Sequence, residues 1–212
     1  MRDRWGRLAP WTGIAAVAFI VAAFLVSGES PGTGDSGQKV ISFYADNESS
    51  QFVASLLLAY GAILLILFSG TLSAVVRRTD PGSGALSRLV VAGGALEALG
   101  MSIFASITFT LADTHDKIGP EAAQALNVLN QDLFLPMVIG LAVFMFSSAV
   151  AIFRNAALPR WLGWAAVVIG IAAVTPLGFF GFLVSGLWII AASVYMLRAP
   201  ATESPPVAPT TS

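Results

Sequence analysis

The sequence predicts an all-α fold: a polytopic membrane helix bundle with six transmembrane helices and both termini cytoplasmic. Three observations carry this expectation: the scarcity of charge, the spacing of the apolar runs, and the side on which the arginines fall. In 212 residues there are only 11 Lys+Arg and 12 Asp+Glu, or 11% charged, against 56% hydrophobic. Soluble domains carry about 25% charge, and a chain with so much less cannot cover a water-facing surface. The net charge of −1 leaves no basic surface, so nucleic acid is excluded as a partner. With no cysteine, disulfides, thiolate metal sites and Cys nucleophiles are excluded as well.

A helix needs about 20 mostly apolar residues to cross a ~30 Å hydrocarbon core. Runs of that kind lie at residues 10–26, 52–76, 89–112 and 133–153. A fifth run, 161–197, is 37 residues without a charge, about 55 Å as one helix and too long for one crossing. The Thr175-Pro176-Leu177-Gly178 cluster breaks it, because Pro lacks a backbone donor and Gly tolerates a turn. The run therefore reads as two short spans, 161–174 and 179–197. Residues 1–198 form the membrane domain, and the Pro/Thr-rich tail 199–212 is expected to be disordered.

Orientation follows from the arginines, since short cytoplasmic loops retain Lys and Arg. Arg2, Arg4 and Arg7 precede the first span; Arg77, Arg78 and Arg88 flank the second connection; Arg154 and Arg160 flank the fourth; Arg198 follows the last span. Six crossings put all nine on one side, with Lys39 and Lys117 opposite. Glu29, Asp35, Asp46, Glu48, Asp113, Asp116, Glu121 and Asp132 fall with the lysines. Trp5, Trp11, Trp161 and Trp164 sit at the arginine-side boundaries, where indoles anchor at headgroup level. Residues 1–26 resemble a signal peptide, but the 17-residue apolar run exceeds the usual h-region and is read as a retained anchor.

In the first outer loop, residues 27–38 read as flexible Gly/Ser coil, and Val40–Tyr44 as a segment lying on the membrane interface. Gly119-Pro120-Glu121 marks a helix start that runs on through residues 122–131 into the fourth span. Residues 8–24 and 158–174 align without gaps at an offset of 150, a similarity read as shared composition rather than duplication.

Glu97 is the one ionisable residue deep in a span. A central acid costs about 2.5–3.5 kcal/mol to insert, so such residues face the bundle interior and often mark function. Gly93, Glu97, Gly100 and Phe104 share one helix face, whose small residues permit close helix approach. Two readings stand: a structural carboxyl hydrogen-bonded between helices, or a proton-exchanging group. The polar run Gln124, Asn127, Asn130, Gln131 and Asp132 forms the second candidate, with Pro136 expected to kink the helix at Asp132. It reads as a polar helix end or as the wet mouth of a cavity. The candidate functional residues are thus Glu97, Asp132, Asn127 and Gln131.

Other signals fail on context. Gly32-Thr33-Gly34-Asp35 matches a GxGD pattern but lies in a loop; His115 beside Asp113 and Asp116 is a weak metal signal. Ser69-Gly70 and Ser185-Gly186 lack an intramembrane His partner. No Walker loop, HExxH or GxGxxG occurs, so no cofactor is expected. Candidate partners are the lipid bilayer, other membrane proteins or a second copy in a homodimer.

Tyr44-Ala45-Asp46-Asn47 before the second span, Leu126-Asn127 before the fourth and Leu158-Pro159-Arg160-Trp161-Leu162-Gly163-Trp164 opening the fifth complete a pattern. With the six-span layout, it resembles uncharacterised membrane proteins of high-G+C Gram-positive bacteria, of the domain-of-unknown-function type. The resemblance implies the bacterial cytoplasmic membrane and brings no activity, cofactor or catalytic residue. The leading expectation is a non-enzymatic accessory or sensing component. The alternatives are a small proton-coupled transporter using Glu97, or a lipid or isoprenoid enzyme pairing Glu97 with Asp132.

Overall fold

The structure is a computed structural model that describes residues 8–79, 82, 84–155 and 158–198. The N-terminal arginines Arg2, Arg4 and Arg7, with Trp5 and the tail 199–212, lie outside the described residues. Among those described, the chain is all-helical: α1 (Trp11–Ser27), α2 (Gly37–Asp46), α3 (Glu48–Thr79), α4 (Gly84–Thr114), α5 (Pro120–Asp132), α6 (Leu135–Asn155), α7 (Arg160–Ala173) and α8 (Gly178–Arg198). Four stretches are long and apolar enough to cross a membrane: Glu48–Arg77, Gly84–Thr114, Pro120–Arg154 and Gly178–Arg198. Trp11–Ser27 and Arg160–Ala173 are apolar but shorter.

Six helices close a ring in the order α1, α3, α4, α6, α7, α8 and back to α1. Short connections make sequential neighbours antiparallel, and side-chain pairs fix the register. Gly61 of α3 abuts Ile20 of α1, Gly94 of α4 abuts Ser69 of α3, and Gly170 of α7 abuts Phe146 of α6. The ring closes where Phe24 of α1 meets Phe182 of α8, ring centroids 6.2 Å apart. One consequence is charge segregation. Arg77, Arg88, Arg154, Arg160 and Arg198 all fall at one end of the ring, while Glu29, Asp35, Asp113, Asp116 and Glu121 fall at the other.

The predicted breaks occur, each with a local cause. Leu133 and Phe134 interrupt the helix between α5 and α6. Pro136 has no N–H to offer Asp132, and its ring crowds that carbonyl; the ladder resumes with Val138 N–H donating to Phe134 O at 3.0 Å. Between α7 and α8, the Thr175 hydroxyl donates to Ala172 O at 2.8 Å and accepts from Leu177 N–H at 3.3 Å, tying off both helix ends. At α5, Gly119 is extended and Pro120 occupies the first turn with Glu121, as its sequence signature predicts.

The first loop differs from the flexible, interface-lying segment the sequence predicts. Ser36 caps α2 by accepting from Lys39 N–H at 3.3 Å. Val40 and Tyr44 are fully buried in a second small core with Leu111, Ala112 and Ala123. Coil composition misled because the loop is held by distant donors on α5, and a single helix's pattern does not reveal what will cover it. Together α2, the 28–36 loop and α5 form a cap over the acidic end of the ring. Gly37 seats this cap, since a Cβ there would overlap the Pro120 carbonyl.

Candidate functional site

Toward the arginine end the ring is filled by aromatic rings. Phe68 and Phe144 stand 6.3 Å apart and Phe144 meets Trp188 edge-on at 5.9 Å. The Trp188 indole N–H donates to Leu162 O at 2.8 Å, which satisfies its polar edge inside the core. Toward the acidic end a cavity of about 230 Å³ opens between α1, α3, α4, α6 and α8. The cap forms its roof through Ser30, Asn130 and Gln131, beside Ser27 at the end of α1; Leu58, Met101, Phe104 and Met137 line its apolar body. None of the lining residues is ionisable.

Two polar side chains in the wall stand out. Asn130, only 5% exposed, donates from Nδ2 to Thr108 Oγ1 at 3.0 Å, while its Oδ1 has no partner. Ser55, also 5% exposed, has no partner for its hydroxyl. A buried polar atom without a hydrogen bond costs about 1–3 kcal/mol. Neither Ser55 nor Thr108 is among the candidate residues that the sequence points to. The signal was present: Ser55, Leu58, Ala62, Leu65 and Ser69 recur with helical spacing on the buried face of α3, which places Ser55 inward.

Glu97 does not line this cavity. It is 1% exposed, and its Oε2 has no hydrogen-bond partner. The predicted close approach is present: Gly93 and Gly100 of α4 sit against the backbones of Phe144 and Met137 of α6, and Gly140 sits against the backbone of Glu97 itself. Glu97 therefore lies between the aromatic plug and the cavity floor at Gly100 and Met101, closed off from both ends by packing. Since glutamine has the same shape, Glu97→Gln is expected to leave thermal unfolding in detergent within about 1 kcal/mol of the parent. Glu97→Lys, which strands a longer cation in the same place, is expected to abolish the folded monomer on size exclusion.

The amide stripe predicted on α5 is present and its partners are now identified. Gln124 Nε2 donates to Asp35 O at 3.1 Å, Asn127 Nδ2 to Pro31 O at 3.0 Å, and Gln131 Nε2 to Ser30 Oγ at 3.0 Å and Pro31 O at 3.2 Å. These three side chains fasten the 30–35 loop to the cap, giving its backbone carbonyls donors that the loop cannot supply. At the base of the loop, Gln51 Nε2 donates to Ser27 O at 2.8 Å. Of the polar run Gln124, Asn127, Asn130, Gln131 and Asp132, Asn130 and Gln131 reach the cavity wall. Asp132 is exposed and lies off that wall, so Glu97 and Asp132 share no cavity.

The cap carries its own electrostatics. Asp35 is held below its ordinary value of 3.8 by the Lys39 ammonium at 2.9 Å and by the Gly32 N–H at 2.8 Å. A lowered folded value means that the turn is stabilised above the ordinary value and loses this as pH falls through the lower one. Amide exchange of residues 30–40, corrected for its intrinsic pH dependence, is thus expected to lose protection as the pH is lowered from the ordinary value of 3.8 through the lower folded one. Burial pushes the Tyr44 phenol up to about 12, against an opposing hydrogen bond with Thr108, so the ring stays neutral in the cap core. His115 Nδ1 lies 2.8 Å from Ala112 O. Among the described residues, no three His, Asp or Glu side chains are placed to hold a metal ion.

No protein-family model, curated protein or solved structure matches this chain.

Proposed function

We propose that the chain is a six-span protein of the bacterial cytoplasmic membrane, with both termini cytoplasmic, acting as a non-enzymatic sensing or accessory component. The membrane assignment is supported by the outward surface of the ring, where Leu25 is 78%, Val168 65% and Leu187 68% exposed. A water-soluble monomer rarely shows apolar patches of that extent. Counting α1 and α7 as spans makes six, and the arginine end then faces the cytoplasm by the positive-inside rule. The resemblance to six-helix proteins of high-G+C Gram-positive bacteria agrees with this placement.

One observation carries the sensing reading: a cap stapled over a cavity with no ionisable wall, while Glu97, the one buried carboxyl among the described residues, is sealed away from it. A proton-coupled carrier needs its titrating group where substrate and protons reach it. A lipid enzyme pairing Glu97 with Asp132 needs both carboxyls at one cavity. A roofed, neutral cavity instead suits a component whose cap responds to occupancy.

Vesicles of the purified protein test the reading with two measurements. Amide exchange across residues 28–40 and 119–134 is expected to slow when lipids extracted from the native membrane are supplied. A trapped pH indicator is expected to show the same proton leak for the parent and Glu97→Gln. A substrate-driven proton flux abolished by Glu97→Gln would establish the carrier instead.

A further inference from the structure

We propose that the cavity beneath the cap binds a neutral single-chain lipid bearing a free hydroxyl, taken laterally from the outer leaflet. The inference rests on the membrane embedding proposed above and adds the ligand class. Four features define the occupant. First, none of the residues around the cavity is ionisable, so a charged head would be stripped of water without a counter-charge. Second, Asn130 Oδ1 and Ser55 Oγ are buried and unpartnered. With Nδ2 engaged by Thr108, Asn130 offers an acceptor, and Ser55 offers both roles. The occupant must therefore bring a donor, which a hydroxyl does without adding charge. Third, about 230 Å³ is below the ~300–1,000 Å³ of drug-sized sites. It suits part of one chain and not a two-chain phospholipid.

The fourth feature is the mouth. Residues that both line the cavity and remain exposed mark where it opens, and the large ones are Phe24, Phe134 and Phe179, each at least 40% exposed. The adjoining α7–α8 turn exposes Val174, Leu177 and Phe180. At 14 residues, α7 is only about 21 Å long, so its turn ends short of a ~30 Å hydrocarbon core. An apolar turn beside three phenylalanines opens toward acyl chains. The polar atoms of the wall lie toward the cap, Asn130 on α5 of the cap itself and Ser55 two turns into α3, which orients the bound molecule with its hydroxyl outward and its chain toward Met101 and Met137.

The test uses the full chain in phosphatidylcholine vesicles and a monoacylglycerol with a photoreactive diazirine at the end of its chain. Mass spectrometry is expected to map the adduct to the wall around Met101, Phe104 and Met137. Unlabelled monoacylglycerol should displace the probe, and an alkyl sulfonate of equal chain length should be at least tenfold weaker. Removing the acceptor in Asn130→Leu should weaken labelling about five- to tenfold. Filling the cavity in Ala105→Phe should reduce labelling to background. Should either variant fail to fold, adduct position and competition in the parent protein still decide. A separate, open groove lies between α4 and α5, lined by Leu99, Ser102, Ser106 and Leu126; labelling confined to it, or equal displacement by the sulfonate, overturns the proposal. A free water-soluble hydroxyl compound, glycerol, that displaces the probe as well as the lipid does overturns the leaflet source. Alkaline extraction separates the two levels: protein that washes off the vesicles refutes the membrane reading, whereas protein that stays and is unlabelled refutes only the lipid site.

Discussion

Replacing Gly140 by valine is expected to separate α4 from α6 and to destabilise the bundle by about 3 kcal/mol or more. The Cβ of any larger residue there would overlap the backbone nitrogen of Glu97. Backbone cannot swing aside as a flexible side chain can, so the helices must part. Gly93 and Gly100 meet the backbones of Phe144 and Met137 about one turn away on either side, and separating the helices at Gly140 breaks those contacts too. In a membrane, where apolar contact with lipid competes with apolar contact between helices, such close packing is a principal source of association. Gly70→Ala is the matched control. Nothing lies within 4 Å of the Cβ it would add, and alanine is the better helix former by about 1 kcal/mol in water. Thermal unfolding in one detergent should show a large loss for Gly140→Val and none for Gly70→Ala.

Asn127→Leu is expected to release the cap without unfolding the ring. Asn127 is 1% exposed, and its Nδ2 donates to the carbonyls of Pro31 at 3.0 Å and Gly32 at 3.4 Å. Leucine keeps the volume and removes the donor, leaving loop carbonyls short of partners inside the cap. The cost is about 2–3 kcal/mol, borne by the local opening of residues 28–40, which corresponds to roughly 30- to 150-fold faster amide exchange there. Exchange in α3 and α4 should be unchanged. The exposed Asp132, changed to Asn, should alter neither region. Uniform acceleration across the chain would mean that the cap and ring unfold as one unit.

The ring was largely legible in the sequence because its determinants are local. Pro136 and the Thr175–Gly178 cluster break helices wherever they stand, and the Gly93, Glu97 and Gly100 spacing marks a close crossing on whatever helix lies opposite. The cap was not legible. Gln124, Asn127 and Gln131 displayed a helical stripe, but their acceptors are backbone carbonyls nearly 100 residues earlier, and a carbonyl has no residue signature. Val40 and Tyr44 read as apolar residues at an interface because their cover, Leu111, Ala112 and Ala123, comes from two other helices. Glu97 drew attention for its charge, whereas the cavity is lined by Ser55, Thr108 and Asn130, whose polarity is unremarkable until their placement is known.

In the proposed topology the arginine end of the ring faces the cytoplasm and the cap faces outward, across six crossings. The absence of native cysteine makes single-cysteine labelling clean. In intact cells, a membrane-impermeant maleimide should modify Thr33→Cys and Asp116→Cys in the cap region. It should reach Gly82→Cys, between α3 and α4, and Ser212→Cys in the tail only after the membrane is opened. Labelling of Gly82→Cys or Ser212→Cys from outside, or protection of Thr33→Cys, would contradict the account.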